Sequence, residues 1–319
     1  NSTTQVLKED LVAYYNSRNY HRQKKWKDQI GDDLNWALSF EQYKESETTK
    51  HVHRLHPYKG KFIPQLVEYF LDSHTDNFKE DVFFKDGDII LDPFCGSGTT
   101  LIQANELNMH SIGIDISAFN TLISNVKIGK YNFSQLYKET NRITKQLKKF
   151  TEDSIATEFE KELLEELAKF NSLYFPSPEY KYKVKNKEIN GNEYGKRKES
   201  LFLPIYKRLV QKYNMDLIQE NNDNFLDKWF LKSVRAEIDF TFNLIKEVKD
   251  VNIKKVLAII LSRTIRSCRA TTHSDLATLK EPVVTTYYCT KHGKICKPLF
   301  SIYNWFERYS KDTIKRLRE

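Results

Sequence analysis

Residues 91–100 read LDPFCGSGTT: an apolar strand ending in Asp-Pro, two glycines in a short loop, and threonines opening a helix. A glycine loop at a helix head ordinarily cradles phosphate, because its backbone N–H groups and the helix dipole both favour an anion. Two phosphate motifs fail here. A Walker loop needs Lys after its second glycine, where Thr99 stands, and the dinucleotide fingerprint needs a third glycine that Gly-Ser-Gly-Thr-Thr-Leu lacks. What remains is a strand ending in Asp92, a tight turn at 96–98, and a second apolar segment, HSIGIDIS (110–117), carrying an acid at Asp115. That order suits a nucleoside bearing an amino acid. Asp115 is placed to take both ribose hydroxyls. Gly96 and Gly98 let the backbone approach the ligand where a Cβ would collide, and Asp92 is placed to accept from an ammonium group.

Around this loop, GDIILD (87–92) reads as a buried strand, 99–108 as a helix and 110–117 as a second strand, the order of a βαβ unit. Pro64 stands at the start of an amphipathic helix carrying Leu66, Val67, Phe70 and Leu71. The first 50 residues are polar, with a helix expected over 7–16 and Trp26 and Trp36 as anchors. Helices are expected over 151–170, 229–248 and 252–269, and again in PLFSIYNWFERYSKDTIKRLRE. In 181–200, lysines alternate with Tyr182 and Val184, and Asn190-Gly191 suggests a hairpin turn. A hairpin would line Lys181, Lys183, Lys185 and Lys187 along one face as a stripe able to track phosphates. The expected fold is α/β: a Rossmann-like parallel sheet with a mainly helical additional region. The expected division is 1–135 for the N-terminal segment and cofactor half, 136–225 for a helical and basic insertion, and 226–319 for a helical region with a cysteine-rich knuckle.

Lys and Arg number 51 against 43 Asp and Glu over 319 residues, a net charge of +8 that fits a nucleic-acid partner. No apolar run approaches the roughly 20 residues of a membrane span, and the start NSTTQVLKED is no signal peptide, so the chain is read as cytoplasmic. Cys95 sits in the loop as a small filler, while three of the four cysteines fall late in the chain. Cys289-x2-His292-x3-Cys296 has the spacing of a zinc site, with Cys268 or His273 as fourth ligand. The alternative is free thiols beside an exposed histidine. Arg263, Arg266 and Arg269 recur on one helix face, and Arg316 and Arg318 close the chain; they either contact phosphate or pair with neighbouring acids.

DPFCGSGTT followed by GIDIS closely resembles the cofactor motifs of S-adenosylmethionine-dependent amino-methyltransferases acting on DNA, which modify N6 of adenine or N4 of cytosine. The resemblance implies that Asp92, Pro93, Phe94, Gly96 and Gly98 form the methionine-side loop, with Thr99 opening the helix, and that Asp115, beside Ile116, holds the ribose. HPYKGKFIPQLVEYFL is similar to the family's other cofactor motif and points to His56, Tyr58, Lys61, Phe62 and Pro64. The resemblance covers about 50–130 specifically and 225–319 loosely. It further implies a base flipped out of the duplex onto an Asp/Asn/Ser-Pro-Pro-aromatic loop. The chain holds no such string; Ser177-Pro178-Glu179-Tyr180 comes nearest, with glutamate in place of the second proline. The implied setting is restriction-modification or a related defence, with DNA as partner. The catalytic loop then lies on a continuation of the chain or on a second subunit. The rival readings are an RNA base-amine methyltransferase and a non-catalytic cofactor- and DNA-binding subunit.

Overall fold

The computed structural model describes residues 40, 43–58, 60–152, 154–220, 224–275 and 279–319. The expected helix over 7–16 and the anchors Trp26 and Trp36 lie outside them. A short helix α1 (Glu45–Thr48) and a 3-10 turn (His51–Arg54) precede α2 (Pro64–Leu71), where Pro64 holds the first helical turn as its fixed φ allows. Then come β1 (Ile89–Asp92), α3 (Thr99–Glu106), β2 (His110–Gly113) and α4 (Ala118–Ile128). β1 and β2 pair in parallel, with Leu91 opposite Ile112 and Asp92 opposite Gly113, so the expected βαβ unit is present.

One face of this sheet is closed and the other is open. Ile90 packs with Leu71, Ala104 and Met109 in a small core of its own. The alternate residues Ile89, Leu91, Ile112 and Ile114 point the other way and remain between 54% and 65% exposed. Parallel sheets are ordinarily covered on both faces; here the four aliphatic side chains of one face are exposed.

The remainder is helical: α5 (Phe133–Glu152), α6 (Ile155–Tyr174), α7 (Glu179–Lys185), α8 (Gly191–Lys212), α9 (Phe225–Trp229), α10 (Lys232–Lys246), α11 (Val251–Ser267) and α12 (Tyr303–Arg318), with an antiparallel pair β3 (Tyr287–Cys289) and β4 (Lys294–Cys296) between the last two helices. α5, α10, α11 and α12 pack together around Leu136, Ile143, Val234, Ile238, Val256, Ile260, Phe306 and Ile314. α6 and α8 pack side by side and carry the β3–β4 hairpin. Buried Glu237 of α10 accepts from the backbone N–H of Ile302 (2.7 Å) and from Ser301 Oγ (3.2 Å), fixing the start of α12. Burial pushes the Glu237 carboxyl up to about 8. Among the described residues no helix is long and apolar enough to cross a membrane.

Two expectations need correction. The helix expected over 151–170 starts at Ile155, where Ser154 caps α6 by accepting from Ala156 N (3.1 Å), while 151 and 152 end α5. The hairpin expected over 181–200 is two helices. Glu179–Lys185 forms a short helix, and Asn190, instead of turning a hairpin, accepts from Glu193 N (3.3 Å) as the N-cap of α8. Three and four residue spacing replaces two, so the lysines disperse around a helix and make no stripe.

Candidate cofactor site

The loop between β1 and α3 is built on backbone that only glycine adopts freely. Gly96 has φ +50° and Gly98 φ +79°. Each also faces a close neighbour: a Cβ on Gly96 would lie 3.0 Å from Tyr58 Cε1, and one on Gly98 would lie 2.8 Å from Ser124 Oγ. Tyr58 belongs to HPYKGKF, so the structure brings the two cofactor motifs of the sequence into contact. Asp92 Oδ1 accepts from Phe94 N (3.0 Å), which turns the chain out of β1. Cys95 is buried against Gly113, where a Cβ would lie 2.9 Å from its Sγ, and burial pushes its thiol up, so it fills space.

Asp115 ties the second strand to this loop. Its Oδ2 accepts from Gly96 N (2.9 Å); its Oδ1 accepts from Ser117 N (2.8 Å) and from Asn120 Nδ2 (3.1 Å). The Ser117 N–H, ahead of Asn120 and Gly96, holds the carboxyl below its usual range. At the same carboxyl ends of the strands, Phe94 is 88% exposed and Ile116 fully so. The site therefore offers two acids, left-handed backbone and two bare apolar side chains at one end of a parallel sheet, where open α/β sheets receive ligands.

HPYKGKF contributes unevenly. His56 Nε2 lies 3.3 Å from Ser262 Oγ on α11 and its ring meets Phe119 edge-on; burial pushes it down to about 4, so it is neutral near pH 7. Lys61 donates to the backbone oxygen of His53 (2.8 Å), while Phe62 is exposed and Pro64 is buried at the head of α2. Thr99 is buried at the first position of α3. Two supports escaped the sequence reading. Ser124 donates to the carbonyl of Gly96 (3.1 Å) and Lys127 to that of Ser97 (2.6 Å), both from α4 beneath the loop. Nothing in the pattern of that ordinary amphipathic helix distinguishes them.

The other candidates separate from this site. Tyr180 is buried among Phe175, Tyr194 and Tyr288, with its hydroxyl 2.9 Å from that of Tyr288, so Ser177, Pro178 and Tyr180 offer no ring for a flipped base to stack on. Of the two candidates for a fourth metal ligand, Cys268 caps α11 in the main core, and His273 is the residue that joins Cys289, His292 and Cys296. Arg263 and Arg316 both pair with Asp312, and the guanidinium of Arg318 lies over the Phe133 ring.

Residues 4–125 match the family model described as DNA methylase, of the N6/N4 type. The chain is 46% identical over 98% of its length to the Type II methyltransferase M.MjaII of Methanocaldococcus jannaschii, and spans 58% of that protein. It is 33% identical over 44% of its length to the Type II methyltransferase M.BsoBI of Geobacillus stearothermophilus, over 28% of that protein. It is 44% identical over 16% of its length to M.HindIII of Haemophilus influenzae, over 18% of that protein. No solved structure matches significantly. The glycine loop, the Tyr58 segment against Gly96, and Asp115 just past β2 with its carboxylate on Gly96 N, all lie within the residues that match the N6/N4 DNA methylase family.

Proposed function

We propose that this chain is the cofactor half of a Type II-like DNA amino-methyltransferase, binding S-adenosylmethionine and serving methyl transfer to N6 of adenine or N4 of cytosine. The observation that carries the reading is the junction of Tyr58, Gly96 and Asp115. The donor set fits this cofactor. A carboxylate offers about four acceptor sites, and three on Asp115 are taken by Gly96, Ser117 and Asn120. One ribose hydroxyl, rather than two, is what it has room to accept. Exposed Phe94 and Ile116 offer an adenine ring apolar surface, and Asp92 at the end of β1 would take the amino-acid portion. His56, Tyr58, Lys61, Phe62, Pro64, Pro93 and Thr99 complete the proposed cofactor-binding set.

Bound S-adenosylmethionine supplies an electrophilic methyl group on its sulfonium. The chain's own part is positioning: left-handed glycines bring backbone N–H groups to the ligand, and Ser124 and Lys127 restrain the loop from below, so less order is lost on binding. The acceptors that localise an amine lone pair are not among the residues gathered here, and we place the catalytic loop outside residues 1–319. The open sheet face supports this, since it is a surface that further helices of a methyltransferase fold would cover. M.MjaII, of which this chain spans 58%, has room for that structure on one polypeptide. A second subunit carrying the loop would dock on the same face.

The test is transfer of tritium from methyl-labelled cofactor to DNA by the whole polypeptide containing these residues, followed by nucleoside analysis. Label in N6-methyladenine or N4-methylcytosine is expected. Label in tRNA and none in DNA would refute the reading. Activity that appears only when a second chain is added would move the loop to a partner.

A further inference from the structure

We propose that His273, Cys289, His292 and Cys296 hold a structural zinc ion that fixes the β3–β4 hairpin to the segment leaving α11. One ligand atom from each residue lies within 4.8 Å of all the others. Tetrahedral zinc with Zn–S of about 2.3 Å and Zn–N of about 2.0–2.1 Å separates a sulfur from a nitrogen ligand by about 3.6 Å. His292 Nδ1 lies 3.4 Å from Cys296 Sγ, and His273 Nδ1 lies 3.7 Å from Cys289 Sγ. Both separations match a shared ion and are set by three different pieces of chain.

The local fold explains how. Tyr287 pairs with Cys296 and Cys289 with Lys294, so both cysteines share one face of the hairpin. Gly293, at φ +63°, closes the turn with its N–H on Cys289 O (2.7 Å) and so presents His292 to that face. His273 comes from the segment after α11. Its backbone N–H donates to Tyr287 Oη (3.2 Å), which holds this segment over the hairpin; the ring Nδ1, 2.7 Å from the same oxygen, would exchange that contact for the ion. The two imidazoles meet edge-on with centroids 4.4 Å apart. Two thiolates and two imidazoles in a tetrahedral set select zinc among common metals. Four protein ligands leave no open position, which marks the site as structural rather than catalytic.

The hairpin thereby becomes a clasp. Asn171 of α6 exchanges two hydrogen bonds with Ile295 (2.9 and 3.0 Å), and Glu199 of α8 accepts from Tyr288 N (2.8 Å). Gly195 of α8 sits so close to Tyr288 that a Cβ there would lie 2.3 Å from the ring. Zinc at its base would join α6 and α8 to the end of α11.

Metal analysis of the purified whole polypeptide should find one zinc per chain, displaced by a thiol-specific mercurial. Cobalt reconstitution should give the intense d–d bands of four-coordination with thiolate charge transfer. His273→Ala and Cys296→Ser should drop zinc to background, while Cys268→Ala keeps one per chain. Should these variants not fold, the wild-type cobalt spectrum still decides. Chelation should lower the unfolding temperature. Absence of zinc, a Cys289–Cys296 disulfide in the isolated protein, loss of metal from Cys268→Ala but not from His273→Ala, or an unfolding temperature indifferent to metal removal would each overturn the proposal.

Discussion

Gly98 meets two demands at once, a left-handed backbone and a neighbour too close for any side chain. Alanine there forces the left-handed region, at about 1–2 kcal/mol, and pushes Ser124 Oγ off the Gly96 carbonyl that it holds. Gly98→Ala should weaken S-adenosylmethionine binding at least about tenfold by calorimetry, since about 1.4 kcal/mol is a factor of ten; unchanged affinity would show that this loop is not the cofactor's cradle. Lys127 makes a pH-dependent prediction. Burial, aided by Lys61, pushes its ammonium from 10.5 down to about 7. In the folded chain the proton leaves near pH 7, whereas the unfolded chain holds it to about 10.4. The unfolded state thus binds more protons across that interval, so this residue makes stability climb from pH 7 to 10, and its penalty is complete below pH 7. Lys127→Met should remove the climb, read from urea unfolding at pH 7 and pH 9, and should loosen the loop by leaving the Ser97 carbonyl without its donor.

Elements differ in how openly the chain declares them. β1, the glycine loop and β2 are legible because their chemistry is local: apolar runs bounded by Asp-Pro and Gly-x-Gly admit few conformations. The 181–200 segment misleads, since alternating lysines fit a strand and Asn190-Gly191 fits a turn. Asn190 is equally a good helix cap, and packing of Tyr180, Tyr194 and Phe202 in the core settles the competition. Ser124 and Lys127 were hidden for another reason, because their role depends on where α4 crosses beneath the loop. His273 stands in the sequence only as an alternative to Cys268, because its distance along the chain from Cys289 says nothing about which side of the hairpin it reaches. Asn171 is the clearest test of how α6 holds the hairpin. Asn171→Ala removes both bonds to Ile295 and should cost about 1–3 kcal/mol. Hydrogen exchange should locate that loss at 287–296, whereas a loss spread evenly over the helices would argue against the clasp.

For the whole molecule, the helices form one continuous core from Leu55 to Ile314, while the sheet owns a separate core of four buried residues and one bare face. Ile112 and Leu91 lie opposite each other on that face. Ile112→Asp should leave residues 1–319 about as stable as before, yet destabilise the whole polypeptide by about 1.5–3 kcal/mol, the usual worth of a buried isoleucine side chain. Equal effects in both, by denaturant titration, would show that nothing further covers the sheet.

That bare face has a consequence during synthesis. If the cover follows position 319, as proposed, β1 and β2 leave the ribosome about 200 residues ahead of it, and at about 5–20 residues per second they would wait about 10–40 seconds. For that interval four aliphatic side chains stand beside the unpaired backbone of a strand edge, a template for joining another nascent chain.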